Sequence, residues 1–501
     1  MHIEIVVLLH GFFGKSASSS RRRPRLKFPA SVIILPVPTQ EARPVPLDTM
    51  RNQVAIGADS MMFTIGMYFM PVTTVLSALA AGFTSDKTLI GAISLAWYVG
   101  WMAPQLWAAR MMRGKPRMRP YALIPAALSR PIIFLLALWL WIDRGQSPLL
   151  SVWLLIIGVT VFTMADGVVA TAGWDMIGRA LSPRVRSRVL TVNSLLSAIG
   201  GLGAGFVVER VLANENLPFP LNYAVLLAIA AVFYMLALAC MAMIQERPAG
   251  VEDGRQTTDD GRRTTDSGSP SSVVGRLSSS SRPSSSAEVS FLSHLLHSVR
   301  SDAVLRRTLL VRLFTGVENM AAAFYVVFAR EQLLLPESAV GVFSIAIVAG
   351  GLIGIIVLGS AAMRFGSRRV IQAAGVMQFL APTAALAVAV SGIVGPTTSY
   401  VLIIIMALNG AVARSNPLGY FSYTQDCAPE IDRPMYISAM TAMSGVASLL
   451  PLLGGSIIDG LQRSGTPLAA YPTVFALAAV SAGIGAVLSF GLPKPRRVDS
   501  R

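Results

Sequence analysis

Six charged side chains of this sequence lie inside long apolar stretches. Each stretch holds about twenty mainly apolar residues, the length that crosses a bilayer. A charge inside hydrocarbon is costly unless it is paired or reached by water, so each of the six is a candidate functional residue. They are Asp59, Arg130, Asp166, Arg312, Glu318 and Arg414.

Carboxyl and guanidinium groups suit different tasks in such a setting. A carboxyl group away from water favours its neutral form and can exchange a proton, whereas a guanidinium stays charged and binds anions. We therefore expect Asp166 or Glu318 to change protonation, and Arg414 to bind an anionic substrate group or to act as a counter-ion. The alternative is a static ion pair between Glu318 and Arg414. All four histidines lie outside the apolar stretches, which excludes a histidine proton relay.

For the other three of the six charges, a structural explanation competes with a functional one. Asp59 and Arg312 are close to an end, where a structural or gating pair is an equally good explanation. Arg130 precedes Pro131, and we expect it to extend toward the membrane surface or to pair with a neighbour.

Polar and aromatic residues of the same stretches could line a cavity around these charges. Binding sites for small solutes combine a few placed polar groups with apolar walls. Simple packing or anchoring at the interface is the alternative for each one. The candidates are Tyr68, Trp174, Asn319, Tyr325 and Asn409.

The elements that must position these residues are predicted to be twelve transmembrane helices. Of the 501 residues, 53% are hydrophobic and 14% are charged, with mean hydropathy +0.60. Soluble domains carry about 25% charged residues. Runs such as residues 132–141 lack the alternation of a membrane β-strand, which favours an all-α polytopic membrane protein. The spans are predicted near residues 55–80, 88–110, 121–142, 149–176, 188–211, 221–244, 305–332, 338–361, 370–391, 400–424, 435–458 and 470–492.

The segments outside the spans divide the chain into four parts. Residues 1–50 are predicted to be a disordered tail, and residues 245–300, rich in Ser, Asp, Arg and Gly, a disordered cytoplasmic linker. Between and after them lie two six-helix bundles, residues 51–244 and 301–495. Two cysteines cannot form a disulfide framework, and no metal site is expected.

Positive residues in the loops predict the orientation. The 110–119 and 179–188 segments and the loop at 364–369 are rich in Arg and Lys, whereas the opposite loops are short and nearly neutral. Positive loops stay in the cytoplasm, so both termini are expected there, in a cell or inner membrane. The same rule accounts for the net charge of +16 without nucleic acid as a partner.

The two halves of the sequence resemble each other at a nearly fixed spacing. At an offset of 250, Gly66, Gly91 and Gly100 fall on Gly316, Gly341 and Gly350. The offset is 246 near Gly173 and Gly419, and returns to 250 at Gly205 and Gly455. A six-plus-six duplication implies two bundles related by a pseudo-two-fold axis along the membrane normal.

The loop between the eighth and ninth spans carries the most specific motif. Gly359, Arg364, Gly366, Arg368 and Arg369 fit the pattern G-x-x-x-D-R-x-G-x-[RK], with Met363 in place of the acid. With this motif and the repeat, residues 51–495 resemble the major facilitator superfamily.

The resemblance implies a twelve-helix fold in which helices 1, 4, 7 and 10 line a central cavity. Five of the six intramembrane charges fall on those four helices. It also suggests a cytoplasmic gate, in which Asp175 and Arg179 meet the 110–119 loop and Asp426 meets Arg364 and Arg368. Such pairs would form and break as the cavity changes sides.

The leading functional prediction is a secondary carrier of a small solute that works by alternating access, with protons as the candidate coupling ion. The alternatives are a sensor or scaffold that does not transport, and a lipid-handling protein with the same fold. No known catalytic motif is present, so no enzyme activity and no cofactor are expected. The expected partners are the bilayer and the solute, with the protein as a monomer; drug, sugar, amino acid and organic anion all remain open as substrates.

Overall fold

The structure is a computed structural model that describes residues 49–112, 115–246, 299–300, 302–427 and 433–493. Almost all of the predicted tail 1–50 and linker 245–300 lies outside the described residues. In the described part, every regular element is a helix.

Twelve segments are long and apolar enough to cross a membrane, as predicted. No end differs from its predicted position by more than five residues. We number the segments α1 (Met50–Phe83), α2 (Lys87–Met112), α3 (Arg119–Asp143), α4 (Pro148–Ala180), α5 (Pro183–Leu212), α6 (Leu221–Ala242), α7 (Ala303–Glu331), α8 (Ala339–Phe365), α9 (Ser367–Ser391), α10 (Pro396–Cys427), α11 (Arg433–Ala447 and Leu450–Arg463) and α12 (Pro467–Phe490).

Local sequence explains where several helices begin and end. Proline occupies the first turn of α4, α5 and α12, where its missing N–H is not needed. Gly366 has φ +82° and makes the sharp turn from α8 into α9. The glycine of the loop motif is therefore required by backbone geometry.

The helices run alternately between two ends of the molecule. The Lys87 end is defined by Lys87 at the start of α2, and the Arg119 end by Arg119 at the start of α3. Large apolar side chains such as Leu128 (72% exposed) and Ile353 (60% exposed) point outward, as lipid-facing residues do.

The two bundles meet most closely where α2 crosses α11 and α5 crosses α8. A Cβ at Gly91 would collide with the Pro451 carbonyl, and one at Gly341 with the backbone of Glu209. A side chain at Gly455 or Gly205 would be blocked in the same way. Repeated glycines thus let the helix backbones touch, as small residues do in membrane helix packing.

Two of the helices, α1 and α7, are interrupted at equivalent positions of the repeat. In α1 the first helix ends at Phe69, and Pro71 precedes a π-helical turn, Val72–Leu76. In α7 the helix ends at Gly316, and short pieces follow at Asn319–Ala322 and Tyr325–Glu331. Interrupted helices in matching places of the two halves mark the binding region of many carriers.

Candidate functional site

Tyr68 and Glu318 occupy equivalent places beside the two helix breaks, because 68 and 318 are separated by the repeat offset of 250. Arg414 of α10 donates a hydrogen bond from Nη2 to the Tyr68 hydroxyl at 2.5 Å. This contact joins the two bundles near the middle of α1 and within the central part of α10. The Arg414 stem lies against Gly351 of α8, where a larger residue would displace it.

Glu318 is buried in the break of α7, with 4% of the residue exposed. Its Oε1 has no hydrogen-bond partner among the residues that the structure describes. Tyr98 of α2 and Tyr325 of α7 lie within its electrostatic reach. The Tyr325 hydroxyl is likewise buried without a partner in the described part of the chain.

The static ion pair between Glu318 and Arg414 does not form in this structure. The guanidinium turns to Tyr68 in the opposite bundle, while Glu318 stays enclosed in its own helix. The two side chains are therefore separate in this conformation.

A second group of charges is enclosed in the N-terminal bundle. Arg130 of α3 is 2% exposed, and its Nη2 lies 3.8 Å from Asp59 Oδ1 of α1. Its Nη1 donates to the Tyr234 carbonyl of α6 at 3.0 Å. The guanidinium also lies over the Phe63 ring, 5.5 Å from the centroid. Arg130 thus pairs with neighbours and does not extend to the membrane surface.

Asp166 of α4 faces the same group. It lies within electrostatic reach of Asp59 and Arg130, and the Trp101 side chain of α2 is placed to hydrogen-bond with it. One cation therefore stands between two carboxyl groups that come from different helices.

The remaining predicted cavity residues have simpler surroundings. Asn409 donates to the Ile405 carbonyl of its own helix at 3.0 Å, and Asn319 follows Glu318 in the short helical piece of α7. Trp174 is 62% exposed on α4. Arg312 donates to the Ser444 hydroxyl of α11 at 3.1 Å and lies over the Tyr420 ring, so it holds helices together.

At the Arg119 end of the N-terminal bundle, Arg179 connects three segments. It pairs with Asp175 one turn earlier at 2.6 Å and donates to the Pro116 carbonyl at 2.9 Å. Its Nη1 also lies 3.4 Å from Glu246, just after α6. Of the two predicted gate residues of α4, Arg179 therefore meets the 110–119 loop, and Asp175 contacts Arg179.

The C-terminal bundle arranges its predicted gate differently. Asp426 accepts a hydrogen bond from the Ser367 hydroxyl at 3.0 Å, while Arg368 donates to the Phe490 carbonyl at 2.6 Å. Arg364 is exposed, and Gly359 has nothing close to it. Asp426 thus contacts the side chain of the first residue of α9, and the pairing with Arg364 and Arg368 is not formed in this conformation.

Sequence reasoning missed a polar network between the bundles at the Lys87 end. Lys87, 2% exposed, pairs with Glu331 of α7 at 2.6 Å, and Tyr471 donates to the same carboxylate. Asp459 of α11 accepts the backbone N–H groups of Lys87 and Thr88, both at 2.8 Å. Local sequence does not identify Lys87 as part of a network, because its partners Glu331 and Asp459 lie hundreds of residues away.

A second set of contacts closes the same end. Arg330 donates to the Ala78 carbonyl at 3.1 Å and pairs with Glu337 at 2.6 Å. Asn222 of α6 donates to the other oxygen of Glu337 at 2.8 Å. Both halves of the molecule therefore contribute charged groups to a closed Lys87 end.

The fold and the buried charges define a multi-pass helical membrane protein. Solved structures with the same architecture include the nucleoside transporter NupG (13% identity, 88% of this chain, 98% of that chain, TM-score 0.60). A bacterial homologue of the iron transporter ferroportin in an inward-facing state matches with 12% identity, 88% and 98% coverage and TM-score 0.61. A D-xylose-proton symporter matches with 11% identity, 89% and 98% coverage and TM-score 0.61.

This chain has the twelve-helix fold of the major facilitator superfamily, with its two six-helix bundles. No protein-family model matches the sequence, and no curated protein matches it. The resemblance that the sequence indicated is confirmed at the level of the fold.

Proposed function

We propose that this protein is a secondary transporter that carries a small solute with an anionic group across a cell membrane by alternating access. The observation that carries the proposal is the Arg414–Tyr68 hydrogen bond, which joins the bundles beside the broken segments of α1 and α7. A guanidinium has five N–H donors, so Arg414 can bind a carboxylate or phosphate and release Tyr68. Substrate binding would then act directly on the contact between the two halves.

Buried Glu318 is the proposed proton carrier beside that contact. A carboxyl group without a partner in a water-poor site is stable when neutral, and it ionises when water reaches it. Alternating access exposes the site to water on one side at a time, which gives the proton a direction. The D-xylose-proton symporter among the structural neighbours supports proton coupling as a property of this fold, not of this chain.

The loop charges support a cytoplasmic Arg119 end. The Lys87 end, where the bundles are joined, would then face outward and be closed, so the conformation corresponds to an inward-facing carrier. The ferroportin homologue was solved in an inward-facing state, in keeping with this orientation.

The experiment uses purified protein reconstituted in vesicles. Thermal-shift screening of organic anions, sugar phosphates, nucleosides and D-xylose selects a binder, and its radiolabelled form is then followed across the membrane. We expect Glu318→Gln to abolish accumulation driven by a pH gradient while exchange of substrate continues, and Arg414→Gln to abolish binding of the anion.

Four outcomes would count against the proposal. Unchanged gradient-driven accumulation in Glu318→Gln would sink the proton assignment. Unchanged binding in Arg414→Gln would sink the anion site. Binding without any flux in the wild-type protein would favour the sensor or scaffold, and phospholipid movement would favour the lipid-handling alternative.

A further inference from the structure

We propose that Asp59, Arg130 and Asp166 form a second proton-binding site, in which two carboxyl groups share one arginine and hold one proton between them. The site lies in the N-terminal bundle, apart from Glu318 in the C-terminal bundle. Its use in coupling rests on the proposed transport function, whereas its binding of a proton does not.

Arg130 is the cation that balances the charge of Asp59, and both side chains are largely removed from water. Its side chain is 3% exposed, and one of its two terminal nitrogens is occupied by the Tyr234 carbonyl. Asp59 is 15% exposed at the side chain, and its Oδ1 is buried without a hydrogen-bond partner in the described residues. A carboxylate this poorly solvated depends on the single guanidinium, 3.8 Å away.

Counting charges shows why a proton is needed. With both carboxyl groups ionised, the cluster carries one uncompensated negative charge in a water-poor environment, which is strongly unfavourable. The other titratable side chains in electrostatic reach among the described residues are Tyr234 and Cys240 of α6, which are neutral and cannot compensate. One proton on either carboxyl group makes the cluster neutral.

The repeat shows that the fold does not require these charges. At offsets of 250, 250 and 246 the equivalent positions of α7, α9 and α10 hold apolar residues. They are Leu309, Leu380 and Val412. A six-helix bundle of this kind therefore packs without the cluster, and retaining three costly groups in one half needs a separate reason.

A shared arginine makes the cluster a switch. A proton from water that settles on Asp166 leaves Arg130 paired with Asp59, whereas a proton on Asp59 frees Arg130 for Asp166. Asp59 precedes Tyr68 by nine residues of the same helix, about 14 Å along its axis. A change in the pairing of α1 is therefore transmitted to the Tyr68–Arg414 contact between the bundles.

Infrared spectroscopy of the protein in lipid vesicles at neutral pH tests the proton count through the C=O stretching band of neutral carboxylic acids. We expect Asp59→Asn and Asp166→Asn each to remove one carboxylic acid from the spectrum, because the remaining carboxylate is then balanced by Arg130. The double substitution should remove no more than either single one. Arg130→Gln should add one carboxylic acid, since both acids are then neutral.

Controls separate this result from misfolding and from the neighbouring proposal. Arg130→Lys keeps the charge and should leave the band unchanged, so the count stays testable even where Arg130→Gln does not fold. Glu318→Gln should remove a different component of the band, in addition to the change in Asp59→Asn. The flux assay in the same vesicles reports transport independently.

Two results would overturn the site. No loss of band in either single variant would mean that both carboxyl groups are ionised. Additive losses in the double variant would mean that each holds its own proton and that Arg130 balances neither. Failure of flux with the predicted proton count would instead reject the transport function alone.

Discussion

Glu246, the residue that follows the exit of α6, organises the Arg119 end of the N-terminal bundle. Its carboxylate accepts the backbone N–H groups of Met118 and Arg119, at 2.7 and 2.8 Å, where α3 begins without a side-chain cap of its own. A carboxylate at a helix N-terminus satisfies free amide groups and interacts favourably with the helix dipole. Residue 246 falls within the linker predicted at residues 245–300, but its side chain belongs to the N-terminal bundle.

The first prediction concerns this cap. Glu246→Ala should lower the free energy of unfolding by about 1–2 kcal/mol, because one buried and one partly buried amide group lose their acceptor. Thermal unfolding in detergent measures the change. Asp175→Asn is the matched control at the same end, since the half-exposed Asp175–Arg179 pair contributes about 0.5 kcal/mol or less. Equal losses in the two variants would contradict the assigned role.

At this scale the sequence predicts which residues are special, but not what they touch. Hydropathy alone identifies Asp59, Asp166, Glu318 and Arg414, because each interrupts an apolar stretch. Their contacts depend on tertiary structure: Arg414 meets a tyrosine 346 residues earlier, a pairing that local sequence does not encode.

Among the elements, α1 and α7 differ in whether the local sequence predicts the interruption of the helix. Pro71 supplies a local cause in α1, since proline has no N–H for the helix ladder. In α7 no proline occurs between Gly316 and Tyr325, and the break depends on packing. The boundaries of the twelve helices, by contrast, do not depend on packing. They can be predicted because bilayer thickness sets the length of each apolar stretch.

The second prediction concerns the crossing of α2 and α11. Gly455→Val should force these helices apart, because its side chain would collide with the Lys87 carbonyl. Spin labels at residues 215 and 464, both exposed at the Lys87 end, should report a longer distance. Gly460→Val on the same helix has nothing within 4 Å and should leave the distance unchanged. An unchanged distance in Gly455→Val would rule out this crossing as the closing contact.

For the molecule as a whole, the proposed alternating access makes the polar network at the Lys87 end a candidate for setting the balance between conformations. Lys87 is almost fully buried while it pairs with Glu331, so removing the acid leaves an unpaired charge only in the closed state. Because Glu331 is about one-third exposed and Lys87 also donates to the Ser85 carbonyl, breaking the pair costs about 1–3 kcal/mol. Neutralising Glu331 should therefore raise the free energy of the closed state relative to the open state.

The third prediction tests that balance. In a variant without native cysteines, Thr74→Cys places a thiol at a fully buried contact with Ser344 of the other bundle. Adding Glu331→Gln should raise its labelling by a membrane-impermeant maleimide about tenfold or more, because the Lys87 end opens more often. Glu215→Gln, exposed at the same end, is the control. Equal labelling rates in both variants would show that the pair is not the latch.

The glycine crossings also have a mechanical consequence. The backbones of α2 and α11 touch at Gly91 and Gly455 and cannot approach each other further. This contact lies close to one end of α2, so it can act as a fulcrum about which the rest of the helix rotates. From Gly91 to Met112 the arm is about 32 Å long, and a rotation of about 10° displaces its tip by about 5 Å. The same rotation barely moves the residues at the fulcrum. Wide opening at the Arg119 end thus requires little distortion of the closed end, whereas opening the Lys87 end requires the fulcrum itself to relocate.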